Sequence, residues 1–235
     1  MSFQVKTEKV ISRTAPDVFQ AIKEGRLFLN CGADSEMKID FRVGGQYKVT
    51  FKRYNAAHFG EFLEIVPDKK VVFSWCQEFS PDQKPDSTVT IELFSEGEKT
   101  KLVLVHTGFR TQSIADQHQG GWNGGLGDFS DEIQTGRIRM VRGLEAPVAK
   151  TFEFCQNASS LFASQGKILE SVPNQKLMFA WPEGKVTLLF TEKDGNSTRL
   201  EMIHEGQSTQ KNSISHRKGL EKATADAASH LEKGI

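Results

Sequence analysis

An excess of charge of either sign is missing from this 235-residue chain. Thirty Lys and Arg stand against thirty Asp and Glu, and the basic residues do not cluster. Nucleic acid and an anionic membrane surface are therefore poor partners. No apolar run reaches the roughly 18 residues that a membrane-spanning helix needs. The opening Met1-Ser-Phe-Gln-Val-Lys6 lacks the pattern of a secretory leader. Cysteine is scarce: Cys31, Cys76 and Cys155 are odd in number and without metal-type spacing. They are expected to be reduced thiols in a cytoplasmic protein. Also absent are a nucleophile paired with a base, a Gly-rich phosphate loop after a strand, and a carboxylate pair that stands out. No catalytic residue, metal or cofactor is expected on these grounds, and a non-enzymatic role is favoured over an enzymatic one.

What the chain has is one stretch that occurs twice. Gly60–Trp75 reads GEFLEIVPDKKVVFSW, and Gly166–Trp181 reads GKILESVPNQKLMFAW. Gly, Leu, Glu, Val, Pro, Lys, Phe and Trp recur without a gap at an offset of 106 residues, Gly60 to Gly166. A fixed offset marks an internal duplication. Each copy reads as strand, turn, strand. Downstream, Thr100–Gly108 matches Thr198–Gly206, and His118-x-x-Gly121 matches His216-x-x-Gly219, now at an offset of 98. Each copy ends in a helical pattern. Two domains are expected, residues 1–135 complete and 136–235 truncated.

Taken in order, Gln4–Ser12 reads as a strand, and Thr14-Ala-Pro16 opens a helix with a cap and a first-turn proline. Ile39, Phe41 and Val43 alternate with polar residues, Gly44-Gly45 turns, and Tyr47, Val49 and Phe51 alternate again, which predicts a hairpin. Trp122, Leu126, Phe129 and Ile133 share one face of a long helix over Ser113–Ile133. Five glycines (120, 121, 124, 125 and 127) interrupt it. Close packing on the sheet is the expected reason; the alternative is a helix kept loose at the mouth of a pocket. In the second copy Glu145-Ala-Pro147 echoes Thr14-Ala-Pro16. Pro16 to Gly60 spans 44 residues but Pro147 to Gly166 only 19. The missing 25 match the hairpin segment, so the second copy is expected to lack those strands and to fold poorly alone. Its last helix keeps a stripe of Leu220, Ala223, Ala227 and Leu231.

This order of elements resembles the helix-grip fold of the START-like, Bet v 1-like superfamily. The first unit looks like the family named for the activator of Hsp90 ATPase homologue 1. The resemblance is carried by Ala15-Pro16-x-Val18-Phe19, by Asp40-Phe-Arg-Val-Gly-Gly45-x-Tyr47, by Gly60-x-Phe-Leu-Glu-Ile-Val-Pro67 leading to Phe73-x-Trp75, and by His106-Thr-Gly-Phe109 followed by His118-x-x-Gly-Trp122. These motifs span nearly all of residues 4–135. Such domains often carry a Trp pair after the first helix, where this chain has Leu29-Asn30-Cys31. The resemblance implies an α+β fold, a curved antiparallel sheet wrapped on a long C-terminal helix with an apolar cavity between, here duplicated with a shortened second copy.

Alternation and helical spacing aim Phe41, Tyr47, Phe51, Phe73, Trp75, Trp122 and Phe129 inward. These rings either line an open cavity for a small apolar ligand or fill the core. His106 ends an inward row, as His204 does in the second copy. It is either a donor to a ligand or a histidine satisfied by backbone at a strand end; His118 and His216 read as structural. The leading expectation is a binding protein for a small hydrophobic molecule. A chaperone-associated interaction module, by resemblance, is the second. A cyclase- or hydratase-like enzyme using His106 with Tyr47 is the third.

Overall fold

The computed structural model describes residues 3–28, 35–51, 56–78, 87–157, 167–181, 184–206 and 210–232. Two compact units divide at Gln134/Thr135. The first runs β1 (Phe3–Ile11), α1 (Ala15–Lys23), β2 (Ser35–Ile39), β3 (Gln46–Phe51), β4 (Ala56–Val66), β5 (Lys70–Glu78), β6 (Ser87–Glu96), β7 (Lys99–Phe109) and α2 (Gln112–Thr135). The second runs β8 (Ile138–Leu144), α3 (Val148–Asn157), β9 (Ile168–Val172), β10 (Lys176–Trp181), β11 (Gly184–Glu192), β12 (Thr198–Gly206) and α4 (Gln210–Glu232).

The first sheet has seven antiparallel strands in the order β1-β7-β6-β5-β4-β3-β2. Among the described residues the second has five, β8-β12-β11-β10-β9, which is the same order without β2 and β3. The hairpin that the sequence count finds missing is the difference between them. The duplication extends to individual atoms. Asp68 and Asn174, at equivalent turn positions, both take left-handed φ (61° and 58°), which short polar residues tolerate. Lys69 N donates to the Val66 carbonyl and Gln175 N to that of Val172, both at 3.1 Å. Lys70 pairs with Glu64 at 2.8 Å, and Lys176 with Glu170 at 2.7 Å.

Each unit builds its own core, because one sheet face and one helix stripe are apolar. In the first unit α1 contributes Val18, Phe19 and Ile22, and α2 contributes Trp122, Leu126, Phe129 and Ile133, against Val5, Tyr47, Phe62, Phe73, Val89, Ile91, Leu102 and Leu104. Thr14 caps α1, its hydroxyl accepting from Asp17 N at 3.5 Å, with Pro16 in the first turn. In the second unit Leu220, Ala223, Ala227 and Leu231 are buried against Leu177, Phe179, Leu188 and Leu200.

The end of α2 is anchored. Arg13 donates to the free carbonyls of Ile133 (3.1 Å) and Gln134 (3.0 Å), closing the helix C-terminus. Arg26 and Glu132, 1% and 3% exposed, form an ion pair at 2.9 Å inside the core.

Two expectations are corrected. Strand β2 stops at Ile39, and residues 40–45 form a compact loop rather than a two-residue turn. Gly44 N donates to the Phe62 carbonyl and Phe62 N to the Gly45 carbonyl, so this loop bonds to β4. Glycine is required there: a Cβ on Gly45 would sit 2.1 Å from the Asp40 carbonyl oxygen. Phe41 is therefore a loop residue, packed on Phe19 and Phe62 with ring centroids at 5.8 and 4.9 Å. The glycines of α2 are the second correction. A Cβ at any of the five would meet nothing within 4 Å, so close packing on the sheet does not explain them. Leu29-Asn30-Cys31, Gly166 and the side chain of His216 lie outside the described residues.

Candidate functional site

Between the sheet and α2 of the first unit lies a cavity of about 300 Å³, at the small end for ligand pockets. Trp75 and Gln77 reach it from β5 and His58 from β4. From α2 it receives Gln117, His118 and Trp122, with the bare backbone of Gly121 and Gly125 between them. Leu27 closes one side. His58 and Gln77 are register partners, so the alternation that buries Phe73 and Trp75 also turns Gln77 inward. The wall is built of rings. Trp75 and Trp122 have centroids 5.2 Å apart, and His58 and Trp75 4.6 Å.

His106 stands behind this wall, fully buried. Its Nδ1 accepts from the Trp122 indole N–H at 3.1 Å, so the ring proton sits on Nε2, which donates to Ser87 Oγ at 2.9 Å. Ser87 in turn donates to the Trp75 carbonyl at 3.0 Å. One chain of hydrogen bonds thus ties the sheet side of the cavity to its helix side. Burial, then the neighbouring His118 and His58, pushes His106 down to about 3. Burial, then His118, pushes His58 down to about 4. Both are neutral imidazoles at physiological pH. Ring nitrogen Nδ1 of His118 is held by the Ile114 carbonyl at 2.9 Å.

Of the residues singled out in the sequence, Trp75 and Trp122 line the cavity. Tyr47, Phe51, Phe73 and Phe129 belong to the packed core, and Phe41 packs against it. Tyr47 donates to the Ser74 carbonyl at 3.0 Å, and its ring stacks on Phe28 at 5.0 Å. His106 is held by two side chains rather than by backbone. With its nitrogens committed to Trp122 and Ser87, it does not form an acid–base pair with Tyr47. Leu27, His58, Gln77, Gln117 and His118 as cavity residues were not anticipated. Carrying the alternation of β4 back from Phe62 through Gly60 reaches His58, and that of β5 forward from Trp75 reaches Gln77. Both are legible once the strands are paired.

The second unit keeps part of this arrangement. Trp181 and His204 face each other at 6.5 Å, as Trp75 and His106 do at 5.8 Å. Leu220 stands at the position of Trp122, and Gly184, the register partner of Trp181, at that of Ser87. Among the described residues no group of His, Cys, Asp or Glu could hold a metal ion, and no helix is long and apolar enough to cross a membrane. Cys76 and Cys155 are buried and outside any disulfide, and burial pushes the Cys155 thiol up to about 12.

Comparison with known proteins gives one family. The sequence profile described as activator of Hsp90 ATPase homolog 1-like protein matches residues 13–132 and again 144–232. No curated protein matches the chain. Among solved structures, DynU16, from the dynemicin biosynthetic locus, is 15% identical, covers 99% of both chains and superposes with a TM-score of 0.48. CalU16 from Micromonospora echinospora is 26% identical over 56% of this chain and 76% of its own, with a TM-score of 0.45. An HSP90 activator from Plasmodium falciparum is 25% identical over 57% of this chain and 94% of its own, with a TM-score of 0.44.

Proposed function

This chain belongs to the activator of Hsp90 ATPase homolog 1-like family, twice over, and from that premise we propose that its first unit binds a small, mostly apolar molecule without turning it over. The observation that supports this is the roughly 300 Å³ space that the touching rings of Trp75 and Trp122 border, beside a core where Tyr47, Phe62, Phe73 and Phe129 are at most 2% exposed. Packed interiors leave few voids larger than a water molecule. A space of this size, walled by rings and reached by a few amide and imidazole groups, has the composition of a ligand site. The acid–base pair of His106 with Tyr47 is not supported, since both are engaged by the fold; of the two lining histidines, His58 is a weak base and Nδ1 of His118 is held by the Ile114 carbonyl. The second unit is read as a shortened repeat of the same domain, with Leu220 in place of the ring that would complete a wall.

Native mass spectrometry of the full chain, purified gently from its own host, tests the reading. An extra mass that is lost in Trp122→Ala is the expected result. A bare chain that takes up nothing from a mixture of apolar compounds would overturn it.

A second reading, a surface that docks on an Hsp90-type chaperone, is favoured by one observation. On the sheet face opposite the core, Val10 and Phe94 are both about half exposed and flank Lys101 across β1-β7-β6. Calorimetric titration against a purified Hsp90-type chaperone tests it. Binding that Phe94→Ser abolishes supports docking, and no heat at micromolar concentrations removes it.

A further inference from the structure

Two side chains on the cavity wall carry a buried nitrogen that the fold leaves unpaired. Neither Trp75 Nε1 nor His58 Nδ1 has a hydrogen-bond partner among the described residues. Their rings lie 4.6 Å apart. The neighbouring ring nitrogens are treated differently. Trp122 Nε1–H is taken by His106, both nitrogens of His106 are bonded, and His118 Nδ1 is held by the Ile114 carbonyl. Buried polar groups left unpaired are few in native proteins and costly. Both nitrogens are covered as the side chains stand, and a small turn of these two adjacent rings toward the cavity they line would bring them to a ligand's polar group.

The rest of the wall narrows the chemistry. Among the described residues no Asp, Glu, Lys or Arg lines the cavity, so a charged ligand would be buried without a counter-charge from them. His58 is neutral at physiological pH and supplies none. Trp75, Trp122 and His58 form a continuous run of rings along the wall, which favours an aromatic body lying against it. An indole N–H can only donate, while a neutral imidazole nitrogen can accept. A hydroxyl oxygen serves both at once.

We infer that the cavity takes a neutral hydroxylated aromatic of the phenol class, whose oxygen accepts from the Trp75 indole N–H and whose O–H donates to His58 Nδ1. Gln77, opposite His58 in the sheet register, offers an amide beside that oxygen. Trp75 and His58 are thus the residues that determine specificity, distinguishing a phenol from the parent hydrocarbon and from an anion of the same size. The inference rests on the reading of the first unit as a binding domain.

The test is titration of the full chain with three probes of one shape, 2-naphthol, naphthalene and 2-naphthoate, followed by quenching of tryptophan fluorescence and by calorimetry. The expected result is that 2-naphthol binds at least about tenfold more tightly than naphthalene, and that 2-naphthoate does not bind. Trp75→Phe and His58→Phe keep a ring and remove the nitrogen; each is expected to bring 2-naphthol down to the level of naphthalene. Thermal melts show whether each variant is folded, and the comparison of probes on the unaltered chain needs no variant. Equal binding of 2-naphthol and naphthalene would overturn hydroxyl recognition while leaving the binding domain standing. Preferred binding of 2-naphthoate would overturn neutrality. Uptake of none of the three would overturn the inference and count against the binding reading as well.

Discussion

The indole N–H of Trp122 on α2 donates to Nδ1 of His106 on β7 across 3.1 Å, with both residues buried. This bond fixes the tautomer of His106, and through Ser87 it reaches the backbone of Trp75. Replacing His106 with Leu orphans Trp122 Nε1, while Ser87 Oγ loses one contact and keeps its bond to the Trp75 carbonyl. An unsatisfied buried group costs about 1–3 kcal/mol, and a loss of that size is expected. Urea unfolding followed by tryptophan fluorescence reads it. A midpoint unchanged from the unaltered chain would show that the relay contributes nothing.

Stability should fall in acid for an identifiable reason. His106 and His58 are held down to about 3 and about 4, below the ordinary 6.5 of an unfolded chain. Between pH 6.5 and 4 the unfolded state therefore binds more protons, and stability declines as pH falls through that window. Among the described residues no carboxylate lines the cavity to offset the effect. By pH 4 the loss is on the order of 3 kcal/mol for each histidine. Melting temperature against pH measures it, and in His58→Phe the slope over the window should flatten.

Gly120 and Gly124 are exposed helical positions where a Cβ would meet nothing. Alanine at either is expected to raise stability by about 0.5–1 kcal/mol through helix propensity and lost chain entropy. Chemical denaturation of the single and double variants checks this. A loss instead would mean that the glycines are held in a conformation alanine resists.

Arg26 and Glu132 are paired where neither sees water. Removing one charge, as in Arg26→Met, leaves the other uncompensated and should cost roughly 3–5 kcal/mol. Replacing both with Met and Leu should restore most of that loss, since a well-packed apolar pair avoids desolvation. A double variant no more stable than the single one would contradict this account.

The fragment 136–235 has, among the described residues, a sheet shorter by two strands, and α4 packs Leu220 and Ala227 where α2 packs Trp122 and Phe129. Less apolar area is buried per residue, so the isolated fragment is expected to be marginal and to unfold at lower denaturant than 1–135. A cooperative melt at or above that of 1–135 would contradict it.

Much of the fold was legible because local rules and the repeat agree. Pro16 behind a Thr14 cap, the alternation through Phe73 and Trp75, and the stripe from Trp122 to Ile133 each name an element without help from the rest of the chain. The loop at residues 40–45 was less legible. Two glycines in a row resemble a tight turn, and only their bonds to Phe62 on β4 show the wider loop.

By itself the sequence determined that the chain is a duplicated α+β domain with a shortened second copy. Periodicity and a constant offset are one-dimensional quantities, and the missing 25 residues became two missing strands. Which aromatic rings fill the core and which line a cavity was decided only in three dimensions, because all of them alternate inward alike. Tertiary structure alone put Ser87 and Trp122 on either side of His106, closing its hydrogen bonds, and put His58 beside Trp75 with its own left open. Hydrogen-bond satisfaction depends on atoms that meet across strands and helices far apart in the chain, and no spacing along the chain encodes it.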